Sequence, residues 1–201
     1  MSWNRRWDAD WFFRGCLFEA MVLFVALLLG WTFDQPLLAL IRWNGGDALL
    51  GGLACLPLLI LFRSSVSSPW APLARIRQFL EQVVRPTLGQ WSPTQLAVIS
   101  VLAGVSEEIL FRGFIQGLVA KWNGPALAIA VSSVLFGLCH AMTRAYALIA
   151  GLIGAYLGAL CVFTGNLLTP IVAHALYDFV ALLYFLRVEK PGGLDSRNHQ
   201  A

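Results

Sequence analysis

Charged residues are scarce in this sequence. Asp, Glu, Lys and Arg make up only 12% of its 201 residues, whereas soluble globular domains usually carry roughly 25%. Hydrophobic residues make up 58%, and the mean hydropathy is +0.70. This composition excludes an ordinary soluble domain and predicts an all-α, polytopic membrane helix bundle. The length suits one such domain, 1–201, since six spans of about 20 residues each with short loops use nearly the whole chain.

Paired cysteines and basic clusters are lacking as well. The four cysteines are scattered through apolar stretches and no CxxC occurs, which argues against a disulfide framework or a cysteine metal site. The net charge is only +3, and no run of Lys and Arg is interleaved with aromatic residues. Nucleic acid is therefore not expected as a partner.

Long apolar runs are what the sequence has instead, and six can be counted. They cover 15–33, 47–62, 94–120, 125–142, 145–163 and 167–186. The second run is the weakest, because it is only 16 residues long and contains Pro57. We therefore predict about six transmembrane helices.

The distribution of Lys and Arg predicts the orientation of these helices. With six spans both termini lie on one side, whose segments hold eleven Lys and Arg, against only Arg42 and Lys121 in the opposite loops. The eleven are Arg5, Arg6, Arg14, Arg63, Arg75, Arg77, Arg85, Arg144, Arg187, Lys190 and Arg197. This asymmetry predicts cytoplasmic termini in a plasma or inner membrane. His199, in the polar tail, is expected to be solvated.

Residues 73–91, between the second and third runs, combine apolar and charged positions at helical spacing. We predict an amphipathic helix that lies on the cytoplasmic surface and ends near Pro86. Two interpretations stay open for it. It is either a connector that floats on the lipid headgroups or a lateral guide for a membrane-tethered substrate.

Three ionisable residues interrupt the third apolar run within the segment 106–117, SEEILFRGFIQG. A charge near the bilayer centre costs about 2.5 kcal/mol or more, so such residues are rare unless they are paired or used. Glu108 and Arg112 are four positions apart and share a helix face, which predicts a structural ion pair. Glu107 points about 100° away from that face. It is predicted to be a free carboxyl aimed at the interior, able to activate water.

Two further pairs have the same four-residue spacing. Phe136 and His140 lie in the fourth run, and His174 and Asp178 lie in the sixth. A carboxylate one turn away can hold an imidazole in one orientation, so Asp178 is expected to orient His174. His140 lies near the cytoplasmic end of the fourth run, whereas Glu107 lies deeper within the third run. Either the fourth helix continues beyond its run, or the site is a funnel open to the cytoplasm.

These segments carry a family resemblance. EEILFR matches the EExxxR motif, FGLCH the FxxxH motif and HALYD the HxxxN/D motif of the CPBP family. This family includes the type II CAAX prenyl endopeptidases and the bacteriocin-immunity proteins. The motifs occur in the family's order, and the resemblance covers about 94–186, which would be the catalytic core. Asp178 stands where the prenyl endopeptidases typically have Asn.

The resemblance implies a role for each matched position. Glu107 would be the base that activates water, and His140 and His174 would complete the site. Asp178 would support the peptide carbonyl or orient His174, and whether an oxyanion-stabilising amide role is retained there stays open. The residues expected to support the site structurally are Glu108, Arg112 and Phe136.

The sequence leaves the involvement of a metal open. Two histidines and one carboxylate are a legitimate ligand set for zinc, which makes Glu107, His140 and His174 candidate ligands of a divalent metal. The HExxH motif is absent, however. A glutamate with two histidines can also activate water without a metal.

The function that the resemblance implies is an intramembrane endopeptidase. It would hydrolyse a peptide bond in a membrane-anchored protein from the cytoplasmic side, as in CAAX processing. The main alternative is a non-catalytic membrane adaptor or immunity protein that keeps the fold and the site for partner binding. A proton-coupled transporter with Glu107, Glu108 and Asp178 as a relay is a third hypothesis. The lack of an internal repeat argues against it.

Overall fold

The computed structural model describes residues 5–188, with side chains from residue 10 onward, and it is all-helical over this range. The α-helices are α1 (Arg5–Thr32), α2 (Gly45–Ser67), α3 (Ala71–Phe79), α4 (Arg85–Leu88), α5 (Pro93–Glu108), α6 (Gly117–Cys139), α7 (Arg144–Thr164) and α8 (Leu168–Arg187). A 3₁₀ turn (Leu37–Leu40) and two π-helical stretches (Leu80–Val84 and Ile109–Gln116) lie between them. The predicted all-α bundle is confirmed. Lys190, Arg197 and His199 lie outside the described residues.

Four helices are long and apolar enough to cross a membrane. They are Asp10–Thr32 within α1, and α2, α7 and α8. The surface of α1 is apolar where a lipid would touch it, with Phe13 and Leu17 well exposed. The chain is therefore an integral membrane protein. The weakest predicted run, 47–62, belongs to α2, which is 23 residues long.

The third and fourth apolar runs form two less regular helical passes. The first begins at a capping box in which the Ser92 hydroxyl accepts from the Gln95 N–H. It continues through α5, the π-helical stretch and the first turns of α6 until Gly124, whose φ of +76° breaks the helix. Pro125 then starts the second pass. Because α5 has only 16 residues and the second pass is shorter still, neither is among the four long apolar helices, and the number of six spans stays a prediction.

One end of the bundle is named here the Trp91 end. Arg187 of α8 donates to the carbonyl oxygens of Gly89 and Trp91, at 2.7 and 2.5 Å. Arg85 of α4 donates to the carbonyl oxygen of Phe185 at 2.9 Å. These bonds tie the end of α8 to the segment that leads into α5.

The opposite end is named the Asn166 end. The side-chain amide of Asn166 donates to Asp47 Oδ2 and to the Arg42 carbonyl oxygen, both at 2.7 Å. The Arg42 N–H donates back to Asn166 Oδ1 at 3.0 Å. This polar cluster ties the connection between α1 and α2 to the connection between α7 and α8. Consecutive passes therefore run in opposite directions between the two ends.

Helix α8 lies against α2 on one side and α5 on the other, and glycines permit both approaches. A Cβ atom on Gly51 of α2 would lie 2.6 Å from the Thr169 carbonyl oxygen. A Cβ atom on Gly104 of α5 would lie 2.9 Å from the Cβ of Ala175. These contacts fix the helix that carries the third motif.

The segment predicted as an amphipathic helix runs continuously through α3, the π-helical turn and α4, so it ends two residues after Pro86. Proline has no N–H to donate, which usually breaks a helix. Here Pro86 follows a turn that already has the wider π pattern, in which the Arg85 N–H donates to the Leu80 carbonyl oxygen. The helix therefore continues past the proline to Leu88.

The same segment is fixed to the Trp91 end of the bundle. Ile76 is buried, and Arg77 donates to the carbonyl oxygens of Val66 and Ser68, at 3.2 and 3.3 Å. The apolar residues of its second half that pack against the core are Leu80, Val84 and Leu88. These contacts contradict a connector that floats freely on the headgroups.

Candidate active site

Three helices bring the residues of the three motifs together. The motif residues are Glu107 and Glu108 at the end of α5, Arg112 in the π-helical stretch 109–116, Phe136 and His140 at the end of α6, and His174 and Asp178 in α8. The carboxylates and the histidines face each other across the gaps between these helices. Two groups result, one buried and one partly open.

The buried group centres on Glu108 and is named the buried triad (Glu108, Arg112 and His174). Oε1 of Glu108 accepts from Nη1 of Arg112 at 3.1 Å and from Nδ1 of His174 at 2.8 Å. The predicted ion pair between Glu108 and Arg112 is present, although the backbone changes to π geometry directly after Glu108. The bond to His174 is absent from the sequence-based prediction. It makes Glu108 the link between α5 and α8.

His174 has a carboxylate opposite each ring nitrogen. Nδ1 faces Glu108, while Nε2 lies 3.5 Å from Oδ2 of Asp178. Asp178 is one turn away, as the spacing predicts, but its contact is the longer of the two. The orientation of the ring is therefore set mainly by Glu108. Both contacts can be hydrogen bonds in two protonation states. Either the doubly protonated ring donates to both carboxylates, or Asp178 is protonated and donates to Nε2 while Nδ1 donates to Glu108.

The second group is named the open pair (Glu107 and His140). Nδ1 of His140 lies 2.8 Å from the carbonyl oxygen of Phe136. Because a carbonyl only accepts, Nδ1 must carry the proton, and Nε2 of the neutral ring has a free lone pair. This Nε2 lies 3.5 Å from Oε2 of Glu107. Within the described residues that buried oxygen has no hydrogen-bond partner, so the open pair has unused hydrogen-bonding capacity.

The end of α6 brings His140 to this position. The helix ends at Cys139, and His140 follows with φ −102° and ψ 18°. A fourth helix that continues beyond its apolar run is therefore wrong. The residue that directly follows this helix, His140, therefore meets the side chain of Glu107.

Phe136 packs the two groups against each other. Its ring stacks on His140 with centroids 4.4 Å apart and meets His174 edge-on at 6.0 Å. The guanidinium of Arg112 lies 4.5 Å above the same ring, a favourable cation–π contact. The ring of Phe136 thus packs against both histidines, and its carbonyl oxygen also accepts from His140.

Helix α7 supplies carbonyl oxygens to the polar residues behind the site. Nη2 of Arg112 donates to the Gly154 carbonyl at 3.0 Å, and Gln116 donates to the Gly158 carbonyl at 3.1 Å. A Cβ atom on Gly154 would lie 3.3 Å from the Arg112 side chain, and one on Gly158 would lie 2.6 Å from the Gln116 side chain. The GxxxG spacing in α7 therefore admits these two side chains.

One acidic residue near the site is missing from the sequence-based prediction. Glu19 of α1 is only 8% exposed, and its Oε2 accepts from the Ser106 hydroxyl at 2.5 Å. Its carboxyl interacts electrostatically with His174, Asp178 and Glu107. The sequence does contain a signal for this residue, because a charged side chain inside a long apolar run is rare unless it is paired or used.

The candidate zinc ligands do not converge. Among the described residues, no three His, Cys, Asp or Glu side chains lie close enough together to hold a metal ion. Glu107 contacts His140, whereas the other histidine, His174, contacts Glu108. As arranged, Glu107, His140 and His174 do not form a three-ligand site.

Comparison with known proteins identifies the region that carries the motifs. Residues 89–180 match the family described as type II CAAX prenyl endopeptidase Rce1-like. The match covers a little under half of the chain and includes all three motifs. The family resemblance predicted from the motifs is confirmed, and the match indicates a CAAX-type intramembrane protease. No curated protein and no solved structure matches the chain.

Proposed function

From the open pair and the family match, we propose that the protein is an intramembrane endopeptidase. It hydrolyses a peptide bond in a membrane-anchored protein, as in CAAX processing, and Glu107 activates the attacking water. One observation carries this proposal. A buried oxygen of Glu107, without a hydrogen-bond partner among the described residues, faces Nε2 of His140 at 3.5 Å.

The open pair suits a water molecule as nucleophile. A water that donates one hydrogen to Oε2 of Glu107 and the other to Nε2 of His140 keeps an oxygen lone pair free for a peptide carbonyl. Glu107 takes the proton as the new C–O bond forms, and it delivers the proton to the amine nitrogen as the C–N bond breaks. The bond of His140 to the Phe136 carbonyl keeps the acceptor nitrogen turned toward the water.

His174 is the proposed donor to the oxyanion that develops on the attacked carbonyl. Its Nδ1 is held by Glu108 at 2.8 Å, so a proton on Nε2 points toward Asp178 and the open side of the site. Asp178 can donate only when it is protonated. The proposed role of Asp178 is therefore to orient His174. The imidazole of His174, and not an amide at position 178, stabilises the oxyanion in this proposal.

Cleavage of a lipid-anchored peptide library by the purified protein tests this function. Wild type should cleave, and Glu107→Gln should abolish cleavage with little loss of folded protein, because the amide cannot accept a proton from water. Glu81→Gln is the matched control, since Glu81 is bonded to Arg85 outside the site, and it should retain turnover. A folded wild type that cleaves no library member, or a fully active Glu107→Gln, contradicts the proposal.

A chelator arm of the same assay addresses the metal. Turnover that survives chelation supports activation of water by Glu107 and His140 alone. A loss that added zinc restores would instead assign a zinc ion to the reaction, with Glu107, His140 and His174 as the ligands to examine first.

We also propose six membrane passes with both termini in the cytoplasm. The bonds of Arg85 and Arg187 at the Trp91 end and of Arg42 at the Asn166 end support this orientation, because the basic residues gather mostly at the first of these ends. Reporter fusions after Arg42 and Lys121 should give an outer-side signal, and one after Arg85 an inner-side signal. An outer-side signal at Arg85 would overturn the six-pass arrangement.

A further inference from the structure

Glu19 is the acidic residue for which the proposed reaction has no role. It lies within the candidate span Asp10–Thr32, where a carboxyl is costly unless it has a partner. Its neighbours Leu17 and Phe18 are 71% and 55% exposed, as lipid-facing side chains would be, whereas Glu19 is 8% exposed. The only acidic side chain of that span's apolar core is thus turned into the bundle.

The described partner of Glu19 is the residue directly before Glu107. The hydroxyl of Ser106, itself 1% exposed, donates to Oε2 of Glu19 at 2.5 Å. Ser106 belongs to the last turn of α5, immediately before the π-helical stretch. A bond from α1 therefore acts on the turn that carries the base of the proposed reaction.

That turn is also held from its other side. Gly104 packs against α8 so closely that a Cβ atom would lie 2.9 Å from Ala175. The turn 104–108 is consequently held between α8, through Gly104, and α1, through Ser106 and Glu19. The direction in which Glu107 leaves the helix depends on both contacts.

We propose that Glu19 is a positioning residue, which holds Glu107 opposite His140 through the hydroxyl of Ser106. This inference rests on the proposed function. Its physical basis is the narrow tolerance of catalytic geometry, since a displacement of 1 Å can lower a rate about 100-fold. The hydrogen bond, more than the charge of Glu19, supplies the constraint.

Four variants test this role in the peptide-cleavage assay. Glu19→Ala and Ser106→Ala should each lower kcat by about 10- to 100-fold with little change in KM. The double variant should be no worse than either single variant, because both remove one interaction. Glu19→Gln keeps an oxygen that accepts from Ser106 and should restore kcat to within a few-fold of wild type.

Ser100→Ala is the matched control. Ser100 is another buried serine of α5, and its hydroxyl has no partner among the described residues, so its loss should leave kcat unchanged. Melting temperatures of all variants are measured in parallel. Wild-type kcat in Glu19→Ala and Ser106→Ala, additive losses in the double variant, or a Glu19→Gln as impaired as Glu19→Ala would each overturn the positioning role.

A readout that does not need turnover separates this inference from the proposed function. Labelling of Glu107 by dicyclohexylcarbodiimide, followed by mass spectrometry of its peptide, should become faster in Glu19→Ala and Ser106→Ala and stay unchanged in Ser100→Ala. A wild type without cleavage defeats the proposed function, while unchanged labelling in these variants defeats the positioning role.

Discussion

The open pair and the buried triad are two carboxylate–histidine groups that begin from neighbouring residues of one helix. In the buried triad the contacts measure 2.8 and 3.1 Å, and the side chains of Glu108 and Arg112 have no exposed surface. In the open pair the contact measures 3.5 Å, and the side chains of Glu107 and His140 are 14% and 26% exposed. Adjacent glutamates therefore occupy very different surroundings.

The difference follows from the helix that each glutamate faces. Neighbouring residues of a helix point about 100° apart, so Glu108 meets the middle of α8, whereas Glu107 meets the end of α6. The triad's hydrogen bonds rigidify that side of the site. The open pair keeps the unused capacity that a substrate and a water need. The protein thus places a closely bonded group beside one with unused hydrogen-bonding capacity.

The largest expected effect concerns the two histidines. His140→Ala and His174→Ala should each lower turnover by about 10²- to 10⁴-fold, because the proposed mechanism uses His140 as a partner of the water and His174 as the oxyanion donor. Cleavage rates at equal folded protein check this, with Cys139→Ala as the control, since that neighbouring thiol is exposed. The adaptor hypothesis makes the opposite prediction. Full cellular function in a well-expressed double histidine variant would exclude the protease.

The second effect separates the two glutamates by stability. Glu108→Ala should lower the free energy of unfolding by about 3–5 kcal/mol, because Arg112 is left buried without its carboxylate. Thermal melts in detergent should report a large loss for this variant and almost none for Glu107→Gln. The residual folded Glu108→Ala should also turn over slowly, because His174 loses its Nδ1 partner. Equal destabilisation by both substitutions would remove the distinction between the two groups.

The sequence places the candidate site residues in local patterns, but it does not predict all of the contacts between them. Glu107, His140 and His174 stand in local patterns that one helix turn explains. The bond between Glu108 and His174 joins residues 66 positions apart and depends on how α5 crosses α8, which no local spacing encodes. The role of Glu108 was therefore predicted only as a partner of Arg112.

The contrast between local patterns and contacts that join distant residues applies to the fold as well. Apolar length predicted α7 and α8 to within one residue at each end, since a membrane-spanning helix is defined by its own sequence. The early end of α6 at Cys139 and the π-helical stretch after Glu108 have no such local signal. Each feature lies beside one member of the open pair, because His140 directly follows Cys139 and Glu107 directly precedes Glu108.

A smaller effect should come from alanine substitutions at two neighbouring glycines of α2, the helix that packs against α8. Gly51→Ala should destabilise the protein by about 1–3 kcal/mol, because its Cβ would lie 2.6 Å from the Thr169 carbonyl oxygen on α8. Gly52→Ala is the matched control, since the nearest atom to its Cβ, on Leu176, is 3.9 Å away. It should be neutral or stabilising by up to about 1 kcal/mol. Melts that rank the two variants in the reverse order would contradict the packing of α8 on α2.

The smallest expected effect is that of Asp178→Asn. The amide keeps an acceptor for His174 and gains a donor, so turnover should fall by less than about tenfold, the scale of one altered hydrogen bond. Cleavage rates of Asp178→Asn and His174→Ala, measured side by side, check the ranking. A loss as large as that of His174→Ala would mean that the carboxylate itself takes part in the reaction.

The most direct measurement of the central claim is a single-turnover cleavage in H₂¹⁸O with the protein in excess over a lipid-anchored peptide. If Glu107 activates water for direct attack, the new carboxyl terminus contains one ¹⁸O atom from the first turnover. A first-turnover product with only ¹⁶O in that carboxylate would mean that a side-chain oxygen, and not water, attacks the peptide.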